Sequence, residues 1–184
     1  PGSPWLLRQL LRPGDHQFLC ELHPADALIL QALFARDRQV TVARRDGLEA
    51  LRALLPPRLR RGLCLLDPSY EERGEYQAVA HALREAVKRW PQGTYALWYP
   101  LLGRRSDYSR ELTNAVLRLN TPLVQLQLQV RPQEQERGMC GCGMLIINCP
   151  YGLKEPLTRL VEGLRVCLGG AQSRAWCEEL RAAP

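Results

Sequence analysis

Short apolar runs alternate along this chain with longer segments whose apolar residues recur at three- and four-residue spacing. Residues 17–21 are a short apolar run ending in an acid, which predicts a buried strand. Residues 24–34 predict a helix, with Leu28, Leu30, Ala32 and Leu33 as its apolar face and Pro24 near its start. Residues 39–43 are short and β-branched and predict a strand, punctuated by Asp46-Gly47. A helix over 48–55 ends before Pro56-Pro57. Residues 62–66 predict an apolar strand that runs into Asp67-Pro68-Ser69-Tyr70. A longer helix over 75–90 carries Val79, Leu83, Ala86 and Val87 on one face. A strand over 94–99 and a helix over 106–119, ending near Asn120 and Pro122, come next. Residues 123–130 alternate strictly, with Leu123, Gln125, Gln127 and Gln129 on one side and Val124, Leu126, Leu128 and Val130 on the other. That pattern predicts a strand with one buried face, antiparallel or at an edge. A polar loop over 131–138, a strand over 144–148 and a helix over 156–168 complete the pattern, and 169–184 reads as a weakly structured tail that Trp176 ties down.

Strand–helix alternation with apolar strands specifies an α/β fold, a mostly parallel sheet with helices on both faces. One domain over residues 1–168 and a tail over 169–184 account for the 184 residues. The hydrophobic fraction of 46% and the charged fraction of 24% exclude extended disorder and a disulfide miniprotein. No apolar run approaches the roughly 18 residues that a membrane span needs, and residues 1–4 show no secretory signal. The chain opens on Pro1 and not Met, as a processed, tagged or partial sequence does.

The net charge is +6, and Lys88 and Lys154 are the only lysines. Such an arginine-rich balance favours a polyanionic partner, because cations that meet phosphates release condensed counterions. Seven cysteines, an odd number with no export signal, argue for reduced thiols and a cytoplasmic setting. Cys140, Cys142 and Cys149 form the only metal candidate, but their spacing is not that of zinc sites and no histidine completes four ligands, so no metal is expected.

Sheets of this class bind ligands at the carboxyl ends of their strands. Three consecutive strands lead there into acids: Glu21, Asp46 with Gly47, and Asp67. A carboxylate at a strand end can accept two hydrogen bonds from a ribose diol, and one beside glycine can meet an adenine amino group; each alone is also an ordinary cap or turn. Asp67-Pro68-Ser69-Tyr70 carries the most chemistry. An exocyclic amino group on a base is a poor nucleophile because its lone pair is delocalised into the ring. A carboxylate (Asp67) and a peptide carbonyl (Pro68, with φ fixed near −65°) that accept its hydrogens localise that pair. Tyr70 supplies a ring on which a flipped base can stack.

The segment from Leu65 to Glu71 resembles motif IV (D-P-P-Y) of S-adenosylmethionine-dependent amino-methyltransferases. The wider run from Arg61 to Glu71, then Tyr76-Gln77-Ala78-Val79 and Tyr95-Ala96-Leu97-Trp98-Tyr99-Pro100, resembles the RlmJ family, which methylates N6 of an adenine in bacterial large-subunit ribosomal RNA. Further matches are Pro1-Gly2-Ser3-Pro4, Glu21-Leu22-His23-Pro24, Asp46-Gly47, Arg137-Gly138-Met139 and the run from Gly143 to Asn148. The resemblance implies a Rossmann-like class I methyltransferase fold acting as a monomer on protein-free ribosomal RNA with S-adenosylmethionine as cofactor. Ser3, Glu21, Asp46 and Gly47 would contact the cofactor, Glu21 at the ribose and Asp46 near the adenine, and Asp67, Pro68 and Tyr70 would act on the target base.

Two departures stand out. Ser69 replaces the family's second proline, and no G-x-G precedes Glu21 where the family has its glycine-rich first strand and turn. The chain therefore reads as the C-terminal two-thirds of such an enzyme, without the family's first central strand. Two alternatives stay open on the sequence: a non-catalytic RNA-binding fragment, and a DNA adenine methyltransferase. His23 is a candidate pocket residue or a helix cap, and His16 and His81 carry no site. Tyr99 and Pro100 are placed to frame a base pocket. Arg44-Arg45, Arg60-Arg61 and Arg104-Arg105 are candidate phosphate contacts, against the ordinary reading of solvated arginines.

Overall fold

The computed structural model describes residues 2–133 and 138–181. Pro1, Arg137 of the Arg137-Gly138-Met139 match, and the last three residues of the expected tail lie outside them. The chain forms two compact units, Pro1–Leu54 and Leu55–Pro184.

The smaller unit runs α1 (Ser3–Leu10), β1 (Gln17–Glu21), α2 (Pro24–Leu33), β2 (Val40–Arg44) and α3 (Gly47–Leu54). β1 and β2 pair in parallel, from Gln17 opposite Val40 to Glu21 opposite Arg44. α2 is the crossover between them. It begins at Pro24, whose absent N–H is spared at a first turn, with Asp26 favouring the positive end of the helix dipole. The helix buries a stripe different from the expected one. Ala27 and Phe34 are buried, whereas Leu28 is 65% exposed and Leu33 54%. A small residue lets the helix approach the strands closely, so the 27–34 line turns inward and the leucines turn out. α1 was not anticipated from the sequence. Its Arg8 pairs with Asp37 and donates to Gln39 at 3.1 Å, while Gln17 donates its amide N–H to the Pro4 carbonyl at 3.1 Å.

The larger unit runs β3 (Leu63–Leu66), α4 (Arg73–Arg89), β4 (Thr94–Leu102), α5 (Ser109–Leu117), β5 (Leu123–Gln129), β6 (Met139–Ile147), α6 (Lys154–Leu168) and β7 (Arg174–Arg181). Its sheet has the order β3-β4-β6-β5-β7. β3 and β4 are parallel. β6 enters antiparallel between β4 and β5, so β3, β4 and β5 share one direction and β6 and β7 oppose it.

β6 starts five residues earlier than the expected strand over 144–148, through Cys140-Gly141-Cys142-Gly143. Its glycines are there for packing. A Cβ on Gly141 would sit 2.2 Å from the Leu128 carbonyl oxygen, and one on Gly143 would sit 2.2 Å from the Tyr99 ring. β7 corrects the expected tail: residues 174–181 are a strand, and Trp176 lies opposite Gln127 of β5.

Two side-chain layers flank this sheet. Val124, Leu126, Leu128, Ile146 and Val161 form one core beneath α6. Val79 and Leu83 of α4, Leu112 and Val116 of α5, and Tyr95 and Leu97 of β4 are also buried. The strict alternation in β5 holds, but its glutamine side is not simply open to water. Gln125 is 6% exposed and donates to the Tyr99 hydroxyl at 2.7 Å. β5 is an interior antiparallel strand, not an edge, because β7 covers its far side.

Candidate active site

In the smaller unit, parallel pairing brings Glu21 and the β2–α3 turn to the same strand end. The backbone N–H of Arg45 donates to the Glu21 carbonyl at 3.1 Å and fixes that end. Glu21 Oε1 accepts from the His23 N–H at 2.8 Å, which turns the chain toward α2. Asp46 Oδ1 accepts from the Leu48 N–H at 2.7 Å, the side-chain cap that lets α3 begin at once after β2. Glu21 and Asp46 thus stand at the carboxyl ends of adjacent strands. Among the described residues, the second carboxylate oxygen of each receives no hydrogen bond. Gly47 adjoins Asp46, and a Cβ there would meet the Cys20 Cβ at 3.8 Å, ordinary contact. Ser3 is the first residue of α1, and no hydrogen bond joins it to Glu21, Asp46 or Gly47 among the described residues. His23 is exposed and lies 3.3 Å from Asp26, as a helix-start residue.

In the larger unit, Asp67 is the first residue beyond β3. Its side chain is exposed, unlike Leu66 before it, yet the surrounding protein withdraws enough water to raise the carboxyl pKa above the usual aspartate range. Pro68 follows, and Tyr70 closes the turn with φ of 54°, a left-handed conformation unusual for a bulky residue.

That conformation is held from two sides. The Tyr70 hydroxyl donates to the Trp98 carbonyl at 2.9 Å, and the ring packs on Tyr76 at 4.4 Å. Burial, then Tyr76 and Asp67, pushes the Tyr70 pKa up, so it remains a donor. The ring is only 5% exposed. As seated, it anchors the loop from within and offers almost no face to a ligand.

The other support was not visible in the sequence. Glu75, in the first turn of α4, accepts from the Ser69 hydroxyl at 3.1 Å and from the Glu71 N–H at 2.7 Å. Ser69, where a second proline was the family pattern, therefore replaces ring stiffness with a hydrogen bond. With Glu72 at the N-cap and no side-chain cap there, the sequence carries no capping box to signal it.

Around this loop stands an aromatic group. Tyr76 meets Tyr108 edge-on at 5.5 Å, and the Arg73 guanidinium lies 4.7 Å over the Tyr108 ring. Burial, with Asp107 and Glu75 nearby, pushes the Tyr76 hydroxyl pKa up to about 12. Tyr99 and Pro100 do not edge an open pocket: both are buried within β4. Gln125 and Gln127 each donate to the Tyr99 hydroxyl at 2.7 Å. The cysteines are free thiols. Among the described residues, no cluster of histidine, cysteine and acidic side chains could hold a metal, and no helix is long and apolar enough to cross a membrane.

A sheet in which the reversed β6 is inserted between the codirectional β4 and β5 is that of the Rossmann-like class I methyltransferase fold. A family model described as "RsmJ: Ribosomal RNA large subunit methyltransferase D, RlmJ" matches residues 1–178, and the chain belongs to that family. It is 40% identical over 164 residues to ribosomal RNA large subunit methyltransferase J of Escherichia coli, covering 89% of this chain and 58% of that protein. It is 37% identical over 178 residues to the protein of the same name in Haemophilus influenzae, covering 97% and 63%. The chain thus spans about six-tenths of the length of both. A crystal structure of a Legionella pneumophila protein superposes with a TM-score of 0.90 at 34% identity, covering 97% of this chain and 66% of that one.

Proposed function

We propose that the protein methylates N6 of an adenine in large-subunit ribosomal RNA, using S-adenosylmethionine. The observation that carries this reading is Asp67: an exposed carboxylate at a strand's carboxyl end, on a loop fixed by Tyr70 and Glu75. The smaller unit has a donor set that fits the cofactor. The unpartnered oxygens of Glu21 and Asp46 suit a ribose diol and an adenine amino group, and Gly47 and Ser3 complete the proposed contacts. S-adenosylmethionine, when bound, supplies the electrophilic methyl group.

The chain's own work is to make a weak nucleophile reactive. Asp67 and the Pro68 carbonyl accept the two N6 hydrogens, draw the nitrogen toward tetrahedral geometry and localise its lone pair. Asp67 then takes the surplus proton during or after transfer. Its raised pKa makes it a better proton acceptor than a solvated aspartate. Tyr70 fixes the position of that carboxylate, and positioning supplies most of the rate.

Incubation with S-adenosylmethionine and protein-free large-subunit ribosomal RNA, followed by nucleoside mass spectrometry, should give N6-methyladenosine. Asp67→Ala should abolish it with the fold intact. Wild-type turnover by that variant, or methylation of duplex DNA in preference to RNA, would overturn the reading. A calorimetric titration with S-adenosylhomocysteine should show micromolar binding; RNA binding with no heat from the nucleoside would mark a non-catalytic RNA-binding protein instead.

A further inference from the structure

Two adjoining clefts open in the larger unit beside the carboxyl ends of β4 and β5. One, of about 320 Å³, is lined by Asp107, Gln125, Gln127, Gln129 and Trp176 among others. The next, of about 620 Å³, is lined by Arg104, Gln129, Gln133 and Arg174 among others. Gln129 and Gln133 line both, so the two are continuous. The smaller volume lies at the lower end of the roughly 300–1,000 Å³ of small-ligand sites.

The lining has a consistent chemistry. The Gln125 and Gln127 amide nitrogens are committed to Tyr99. The Gln133 amide nitrogen donates to the Leu102 carbonyl at 2.7 Å and to the Asp107 carboxylate at 2.6 Å. Among the described residues, no donor reaches the carbonyl oxygens of these three side chains. The nitrogens lock the amides in place and leave the oxygens as fixed acceptors. With Asp107 they form an acceptor wall suited to the ring and exocyclic N–H groups of a nucleobase. Trp176 adds an aromatic plate. Arg104 and Arg174 are exposed, and neither has a carboxylate partner among the described residues. An acidic peptide would use these arginines but would meet repulsion at Asp107 and leave the indole unmatched.

We propose that this double cleft seats one unpaired nucleotide of the RNA other than the methylated adenine. The base stacks on Trp176 and donates to the glutamine and Asp107 acceptors. Its phosphates lie by Arg104 and Arg174. The inference rests on the RNA reading above and names a further contact for that substrate.

The test is fluorescence anisotropy of a labelled single-stranded hexaribonucleotide across a salt series. The R104A/R174A double variant should bind about tenfold more weakly at 0.1 M salt, and its slope of log affinity against log salt should be shallower by about 1.4, two phosphate contacts at about 0.7 each. Trp176→Ala should weaken binding roughly 5- to 100-fold with the slope unchanged. Trp176→Phe, which keeps a plate and the strand, should recover most of that loss. Wild-type affinity and slope in the double variant would overturn the subsite, as would free cytidine monophosphate binding as tightly as the hexamer. If the variants bind and methylate RNA like wild type, the subsite falls and the methyltransferase reading stands. RNA held at the cleft with no methyl transfer by wild-type protein has the opposite meaning.

Discussion

The Tyr70 hydroxyl and the Trp98 carbonyl, 2.9 Å apart, join the loop beyond β3 to the middle of β4. One hydrogen bond thereby spans a strand pairing and holds a left-handed residue in place. Tyr70→Phe removes the donor and leaves the ring. The expected cost is about 1 kcal/mol of stability, with a fall in kcat larger than any rise in KM. Urea midpoints with methyl-transfer kinetics check this; an unchanged kcat counts against Tyr70 as the loop's anchor.

Glu75 holds the same loop from the helix side, through Ser69 and the Glu71 amide. Glu75→Ala should lower kcat roughly tenfold by letting Asp67 drift, since small misplacements cost large factors. KM for RNA should barely move. Glu75→Gln keeps one strong acceptor and should recover part of the rate. A KM effect without a kcat effect would assign Glu75 to binding instead.

Gly143 faces the Tyr99 ring with no room for a methyl group. Gly143→Ala should destabilise by about 1–3 kcal/mol as the ring and its glutamine partners shift. Gly163, inside α6 with open space around it, is the internal control. Gly163→Ala should stabilise by about 0.5–1 kcal/mol. Thermal melts of the two variants should move in opposite directions.

Asp67 gives a signed pH effect. Its pKa is raised by desolvation, so folding favours the neutral acid. That preference is fully present below the unfolded carboxyl pKa and is lost as pH rises through the folded one. At neutral pH the ionised group is a small liability, so Asp67→Asn should melt slightly above wild type at pH 7, with the gap closing toward pH 4, while transferring no methyl group. The acidic limb of the wild-type rate profile should lie above the normal aspartate range. A variant that melts lower at pH 7 would contradict the desolvation account.

Much of the architecture could be read from periodicity. The run from Leu63 to Leu66 is apolar and ends on an acid, and the strict alternation of 123–130 gives the β5 strand, though its glutamine face is covered as well and not open to water. β6 was half missed because Cys-Gly-Cys-Gly carries no β propensity; its glycines answer to Tyr99 and Leu128, which are distant in sequence. β7 was missed because Arg174–Arg181 is half charged and its apolar residues do not alternate, while it joins the sheet by backbone pairing. At the site, the acids at the strand ends were legible, since their position follows from the strand pattern alone. The seating of Tyr70 was not: a tyrosine in a motif does not say whether its ring faces a ligand or the core, and that depends on Trp98 and Tyr76. Glu75 was hidden likewise, because its partners are set by the turn and not by helical spacing.

Asp46 uses one oxygen to start α3 and, among the described residues, keeps the other unengaged. Asn at this position can still cap, so Asp46→Asn should melt like wild type and yet bind S-adenosylhomocysteine several-fold more weakly, whereas Asp46→Ala should lose about 1 kcal/mol of stability as well. The wider consequence concerns readiness. A corner already hydrogen-bonded in the free protein has less ordering entropy to lose when a nucleoside docks, so affinity there reflects contacts made more than structure assembled.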